Sequence, residues 1–191
     1  NGAQGDETSY LPSLSADGRY VAFLAIASTL VQGNTNGFWN VFVHDRQTGV
    51  TRRISVASDG SEGNGESARP SMSADGRYVV FSSHASNLVP GDINGAVDVF
   101  LHDLVTGQTR RVSAAGVDFP SGENITPELS ADGRYVAFNS QRADLVVGDT
   151  NDRQDVFVHD LITGETRRVS VTSLVTQGND ESYHPAISAD G

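Results

Sequence analysis

The chain has 191 residues, of which 37% are hydrophobic and 19% charged, so it is long and apolar enough to bury a core. Its formal net charge is −11 and all 13 basic residues are arginine, which argues against binding to nucleic acid or to anionic membranes. The longest apolar run, residues 21–26, is far shorter than the roughly 20 residues of a membrane-spanning helix, so no membrane insertion is expected.

The sequence contains an internal repeat, marked by the motif Ser-Ala-Asp-Gly-Arg-Tyr-Val-Ala-Phe. The motif begins at Ser15, at Ser73 with one Ala-to-Val change, and again unchanged at Ser130, and its first residues return at Ser188. These starts are 57 or 58 residues apart. The spacing predicts full repeats at residues 12–69, 70–126 and 127–184, with residues 185–191 opening a further one.

Each repeat is predicted to contain four short strands, because runs rich in Val, Ile, Phe, Tyr and Thr alternate with Asp-Gly or Thr-Gly turns. In the first repeat these are strand A at residues 12–16, strand B at 19–23, strand C at 41–44 and strand D at 51–56. Four antiparallel strands make one blade, so the predicted fold class is an all-β propeller with three full blades and part of a fourth. Since propellers usually need four to eight blades, the chain is either a piece of a longer ring or a homo-oligomer that completes one.

The repeats resemble a known family. The pattern Pro-x-x-Ser-x-Asp-Gly-Arg-x-Val-x-Phe occurs at residues 12–23, 70–81 and 127–138, and each copy is followed by Asp-x-x-Thr-Gly. This pattern is similar to the WD40-like (PD40) repeat of TolB-type propellers. The resemblance implies a bacterial, periplasmic or extracellular binding platform. Related blades also occur in serine peptidases and in oligogalacturonate lyases.

The two ends of a blade are predicted to differ. In an antiparallel blade the short A–B and C–D turns lie at one end, which we call the turn end. The long B–C and D–A connections lie at the other, which we call the loop end. Binding residues usually sit on loops carried by a rigid scaffold, so the loop end is the predicted binding face. Its variable residues include Ile26, His84 and Gln141.

The B–C loops carry a candidate calcium site, because Asp-x-Asn-x-x-x-Asp offers carboxylate and amide oxygens within a short span. The predicted metal ligands are Asp92, Asn94 and Asp98 in the second repeat and Asp149, Asn151 and Asp155 in the third. The first repeat has Asn34 and Asn40 in place of the acids, so its loop is expected to bind calcium weakly or not at all. The alternative is that these side chains only form turns with the backbone.

Two further sets of polar residues recur. Acids in the D–A crossings, Glu66, Glu123 and Glu181, are expected to complete a cation site or to line the mouth of the central channel. The alternative is that the Asn and Ser side chains beside them simply satisfy the crossing backbone. Three histidines, His44, His102 and His159, occupy equivalent places on different blades. They are therefore expected to pack between blades and not to share a metal, while the Asp that follows each caps a turn.

No catalytic set is apparent in the sequence. There is no Gly-x-Ser-x-Gly, His-Glu-x-x-His or phosphate-binding loop, and the absence of cysteine excludes thiol catalysis and thiolate metal sites. The leading hypothesis is a non-catalytic binding module for a protein or glycan ligand, with calcium ordering its loops. The alternatives are the propeller domain of a hydrolase or polysaccharide lyase whose catalytic residues lie elsewhere, and a self-assembling structural unit.

Overall fold

In a computed structural model that describes residues 6–113 and 125–191, twelve β-strands form three four-stranded antiparallel sheets, each with its strands in chain order. The strands are β1 (Ser9–Leu14), β2 (Tyr20–Ala25), β3 (Asn40–Asp45) and β4 (Val50–Arg53) in blade 1; β5 (Ser67–Met72), β6 (Tyr78–Ser83), β7 (Asp98–Asp103) and β8 (Thr109–Arg111) in blade 2; and β9 (Glu128–Leu129), β10 (Tyr135–Ser140), β11 (Asp155–Asp160) and β12 (Thr166–Arg168) in blade 3. The predicted fold class is confirmed. Among the described residues there is no helix with the length and apolarity needed to cross a membrane.

The two central strands of each blade share one register. In blade 1 all six residues of β2 pair with β3, from Tyr20 opposite Asp45 to Ala25 opposite Asn40, and the other two blades repeat this pattern. Phenylalanines that face each other across the pair stack, and this stacking fixes the centre of each sheet. The ring centroids are 5.8 Å apart for Phe23–Phe42, and 5.9 Å apart for both Phe81–Phe100 and Phe138–Phe157.

The Asp-Gly turn begins earlier than predicted. Strand A was expected to run to residue 16, but β1 ends at Leu14 because Ser15 already belongs to the turn. The Ser15 hydroxyl donates to Asp17 Oδ1 at 2.6 Å, and the Arg19 amide donates to the same oxygen at 2.9 Å. The aspartate therefore closes the turn with its side chain, as short polar residues do in turns.

The hydrophobic core lies between the blades. One cluster joins Val41 and Val43 of blade 1 to Phe81 and Phe100 of blade 2, all of them buried. A second cluster joins blades 2 and 3 in the same way. A single blade therefore cannot bury its own apolar faces, which is the physical reason that the repeats stack.

Backbone hydrogen bonds also connect the Asp-Gly turns of successive blades. The Ala16 amide donates to the Ala74 carbonyl at 2.8 Å, and the Ala74 amide donates to the Ala131 carbonyl at 2.9 Å. The Asp132 amide donates to the Ala189 carbonyl at 3.1 Å. Residues 188–191 thus contact blade 3 where the turn of a following blade would lie.

We call the first strand of each blade the inner strand and the last one the outer strand. The inner strands of blades 1 and 2, β1 and β5, are irregular just before a proline. The pairing register shifts between Tyr10 and Ser13 in β1, and at the equivalent place in β5. Leu11 and Arg69, each followed by proline, have φ of +52°, a conformation that is rare and strained for residues other than glycine. These two side chains and Thr126 of blade 3 border a cavity of about 180 Å³ where the inner strands converge.

Candidate functional site

In blade 2 the structure brings the three predicted metal ligands together around an arginine. Asn94 Nδ2 donates to Asp98 Oδ2 at 2.8 Å. Arg111 Nη1 lies 2.9 Å from Asp92 Oδ1 and 3.4 Å from Asp98 Oδ2. Arg142 of blade 3 adds a second positive charge 3.9 Å from Asp98. Since Asp92, Asn94 and Asp98 are all buried, the guanidinium groups neutralise carboxylates that water cannot reach.

Blade 3 repeats this arrangement at its own loop. Arg168 Nη1 lies 3.0 Å from Asp149 Oδ1 and 3.4 Å from Asp155 Oδ2, and Asn151 Nδ2 donates to Asp155 Oδ2 at 3.3 Å. Gln177 accepts a further hydrogen bond from Arg168 at 3.0 Å. Asp149 Oδ2 is buried and has no hydrogen-bond partner among the described residues, so only one oxygen of this carboxylate is paired there.

Blade 1 has the same arginine, but its acidic partner comes from a different part of the chain. Arg53 Nη1 donates to Asn34 Oδ1 at 2.7 Å, and its negative partner is Glu62, which comes from the D–A crossing. Asn40, at the position of Asp98, donates to Asn36 Oδ1 at 2.9 Å. One acid from the crossing thus takes the place of the two loop acids, and each blade keeps a negative partner for its arginine.

We name these groups the arginine clusters, with Arg53, Arg111 and Arg168 at their centres. Burial raises the pKa of Asp92, the charge of Asp98 raises it further, and Arg111 opposes both effects. Burial likewise raises the pKa of Asp149. Within residues 6–113 and 125–191, no three His, Cys, Asp or Glu side chains are grouped so that they could hold a metal ion. Calcium binding at these loops stays a prediction. In the structure these carboxylates are paired with Arg111 and Arg168, which would compete with calcium for them.

The sequence contained a signal for these clusters. An Arg-Arg pair occurs in the last strand of each blade, and its second residue, Arg53, Arg111 or Arg168, falls at the same repeat position. The sequence did not show the contact between arginine and acid, because Arg111 lies 19 residues from Asp92 and only the strand order brings them together. The clusters fasten the B–C loop to the outer strand by charge-assisted hydrogen bonds.

The acids of the D–A crossings do not join these clusters, apart from Glu62. Glu66 is exposed, and Glu181 lies 4.0 Å from Arg153. Asn64 in the same crossing accepts a hydrogen bond from the Ser86 amide at 2.8 Å, which connects the crossing to the B–C loop of the next blade. The acid at position 123 lies outside the described residues.

The three repeated histidines each bind a threonine of the neighbouring strand. Nδ1 lies 2.9 Å from the threonine Oγ1 in the pairs His44–Thr51, His102–Thr109 and His159–Thr166. In blade 2 the Thr109 hydroxyl donates to the Val56 carbonyl of blade 1 at 2.5 Å, so Thr109 Oγ1 accepts the hydrogen bond from His102 Nδ1–H. This chain of hydrogen bonds runs from blade 2 to blade 1. Burial lowers the pKa of His102 to about 4. The expected role in packing between blades agrees with this geometry.

A pocket that the sequence did not reveal lies at the loop end. Its volume is about 240 Å³, and its walls include Leu24 and Trp39 of blade 1, Arg69 and His84 of blade 2, and Ile125 of blade 3. These residues lie at strand ends or next to them, on the side where the B–C and D–A connections begin. The sequence could not show this, because the three blades meet only in the fold.

The polar groups of this pocket are available to a ligand. Within the part of the chain that the structure describes, the side chains of Glu66, Arg69 and His84 make neither a hydrogen bond nor an ion pair. Trp39 stacks at a tilt on Tyr10 with ring centroids 5.6 Å apart, and Tyr10 is 53% exposed. An aromatic wall next to unpaired charges can hold an apolar group and bind a polar one beside it.

Comparison with known proteins identifies relatives of the repeats. No protein-family model matches the chain. Over 104 residues it is 27% identical to the Tol-Pal system protein TolB of Francisella tularensis subsp. tularensis (strain WY96-3418), an alignment that covers 54% of this chain and 20% of that protein. The chain therefore spans about a fifth of the length of the TolB proteins that it matches.

Solved structures give the same result for the fold. TolB from Acinetobacter baumannii superposes with a TM-score of 0.55 at 20% identity, covering 89% of this chain and 34% of that one. The β-propeller domain of the Trilobed protease from Pyrococcus furiosus superposes with a TM-score of 0.52 at 14% identity, covering 84% and 41%. The TolB homologues are bacterial periplasmic proteins, which agrees with the predicted location. The chain is homologous to TolB, and its fold is that of TolB-type, WD40-like β-propellers.

Proposed function

We propose that the chain is a non-catalytic propeller module that binds a protein or glycan ligand at the loop end, centred on the pocket between Trp39, Arg69 and His84. The observation that carries this proposal is where the repeats differ from one another. The Ser-Ala-Asp-Gly-Arg-Tyr turns and the Val-Phe and His-Asp positions of the third strands are filled alike three times, whereas the residues around this pocket are not.

Three repeat positions illustrate the contrast. The position of Trp39 holds Val97 and Gln154 in the other blades, that of Arg69 holds Leu11 and Thr126, and that of His84 holds Ile26 and Gln141. The Ser-Ala-Asp-Gly-Arg-Tyr turn is identical in all three blades. Folding makes the same demand on every blade, so the differences at these three positions of one pocket point to a ligand that contacts each blade differently.

The size and chemistry of the pocket support a larger ligand that places only one of its groups inside the pocket. About 240 Å³ is below the roughly 300–1,000 Å³ of sites that enclose a small molecule, so it fits one amino-acid side chain or one sugar ring. Arg69 also borders the cavity of about 180 Å³ between the inner strands. A longer ligand could therefore continue from one space to the other past Arg69, whose strained backbone is typical of functional positions.

Site-specific photo-crosslinking tests this proposal without requiring the ligand to be known. A benzophenone amino acid replaces His84 at the pocket or Ile162 at the turn end of blade 3, two exposed positions. Each variant is produced in the periplasm of a bacterium, the compartment of the TolB homologues. We expect discrete crosslinked products from position 84 that Arg69→Ala removes, and none of them from position 162. Products that are the same at both positions, or absent at position 84, would contradict a ligand site at the loop end.

A further inference from the structure

A second concave surface lies at the turn end, opposite the pocket described above. It is a groove of about 330 Å³ between blades 1 and 2, bordered by Val43, Val50 and Arg52 of one blade and by Leu104 and Val105 of the other. Val50 is 46% exposed and Val105 74% exposed, so apolar side chains face solvent on both sides of the groove. The volume falls at the lower end of the range for small-molecule sites.

One charged side chain in this groove has no partner within the part of the chain that the structure describes. The groove also contains Arg19 and Arg77, and both are neutralised: Arg19 binds Asp45 at 3.0 and 2.7 Å, and Arg77 binds Asp103 at 2.8 Å. Arg52, by contrast, donates no hydrogen bond and forms no ion pair within residues 6–113 and 125–191. An unpaired arginine between apolar walls is suited to a ligand that is both acidic and apolar.

Blade 3 shows the partner that Arg52 lacks. There the equivalent residue is Arg167, which binds both oxygens of Glu165 at 3.0 and 2.9 Å. Glu165 lies directly before β12 and two residues from Arg167, and side chains two residues apart in extended backbone lie on the same face. In blade 1 the position of Glu165 is taken by Val50. The substitution removes the carboxylate and adds an apolar surface in the same place.

We propose that this groove binds a small amphipathic carboxylate. Its carboxylate would pair with Arg52 in the two-pronged geometry that Arg167 and Glu165 display, and its apolar body would lie on Val50, Leu104 and Val105. Arginine and carboxylate match in shape and charge, and their paired hydrogen bonds are among the stronger ones in proteins. Fatty acids and the C-terminal residue of an apolar peptide both have this chemistry.

The same place between blades 2 and 3 lacks one of the two apolar sides. Arg110 is the counterpart of Arg52, and Leu161 and Ile162 are the counterparts of Leu104 and Val105, but Val50 is replaced by Gln108, so the apolar surface beside the arginine is missing. A single binding site per chain is therefore expected. Because the two grooves are built from the same repeat, Arg110→Gln is a matched control for Arg52→Gln.

Isothermal titration calorimetry with octanoate, N-acetyl-leucine and octanol tests the proposal, all kept below concentrations at which octanoate aggregates. We expect one molecule of at least one of the two carboxylates to bind per chain, more tightly than octanol. The tighter of the two carboxylates distinguishes a fatty acid from a peptide terminus. Arg52→Gln should weaken this binding roughly tenfold or more, and Arg110→Gln should leave it unchanged.

The variant Val50→Glu provides a second, independent test. It gives Arg52 the same internal partner that Arg167 already has, so the blade should fold normally while carboxylate binding is lost. Binding that survives both Arg52→Gln and Val50→Glu would overturn the proposal. Equal binding of octanol, or no binding of either carboxylate to the unmodified chain, would overturn it as well.

Discussion

The turn end and the loop end of the blades differ in how strictly the repeat is kept. At the turn end, every blade has an arginine that binds an aspartate of the next strand at 2.7 or 2.8 Å and lies 4.7 Å from the ring centre of the tyrosine beside it. At the loop end, blades 2 and 3 share one set of acids, whereas the arginine of blade 1 has a different acidic partner. The Ser-Ala-Asp-Gly-Arg-Tyr turns contact neighbouring blades directly, which explains why they are the same in every blade, whereas the arginine at the loop end needs only a negative partner and accepts it from different parts of the chain.

The largest effect is expected when a cluster at the loop end loses its cation. Arg111→Met leaves Asp92 and Asp98 buried with their main counter-charge removed, which costs about 3–5 kcal/mol for a buried pair. Urea unfolding followed by circular dichroism measures the loss. Arg110→Met, one residue earlier and exposed, should change the free energy of unfolding by less than about 0.5 kcal/mol.

The same variant separates arginine from calcium at this loop. If Arg111 occupies the place of a cation, millimolar calcium should raise the melting temperature of Arg111→Met more than that of the unmodified chain. A ligand that binds only the folded state stabilises it by mass action. Stabilisation of the unmodified chain that is equal or larger would instead show that calcium and Arg111 bind together.

At the turn end, the contact between neighbouring blades is expected to have the next largest effect. A Cβ at Gly76 would lie 2.4 Å from the Tyr20 ring of the preceding blade, and Gly76 has φ of +71°. Gly76→Ala should therefore cost about 3 kcal/mol, the sum of backbone strain and an overpacked contact. Urea unfolding measures this as well.

Gly49→Ala is the matched control for this contact. Gly49 has φ of +74°, but a Cβ there would meet nothing within 4 Å. This variant should cost only the backbone strain, about 1–2 kcal/mol. Equal losses for the two variants would mean that the contact between turn and ring does not hold the blades together.

This difference between the ends explains what the sequence could and could not predict. The repeat, the four strands of each blade and the turn residues were all visible, because turns and strands depend on neighbouring residues. Predicted strand A was shifted, since the Ser15 side chain enters the turn and not the strand. The fold class was therefore predictable, and only the ends of the strands were not.

The candidate sites depend on contacts between distant residues, and there the sequence was less informative. The structure brings Asp92, Asn94 and Asp98 together, but the sequence did not place Arg111 among them. The pocket at Trp39 and Arg69 draws on three blades, and no local pattern marks it. The one available signal was that these positions differ between otherwise similar repeats.

The smallest effect is expected for Glu62, the acid of the D–A crossing that pairs with the arginine of blade 1. Glu62→Gln removes the negative partner of Arg53 and leaves Asn34 as a neutral acceptor, which should cost about 1 kcal/mol because the carboxylate is partly exposed. Adding Asn34→Asp places a carboxylate where blade 3 has Asp149, with the glutamine matching Gln177. The double variant thus gives Arg53 the main partners that Arg168 has, and it should recover most of the stability lost in Glu62→Gln.

Urea unfolding of the two single variants and the double variant gives the coupling energy. If the double variant is no more stable than Glu62→Gln, the clusters are not interchangeable, and the balance of charge at the loop end would not explain why the three blades differ.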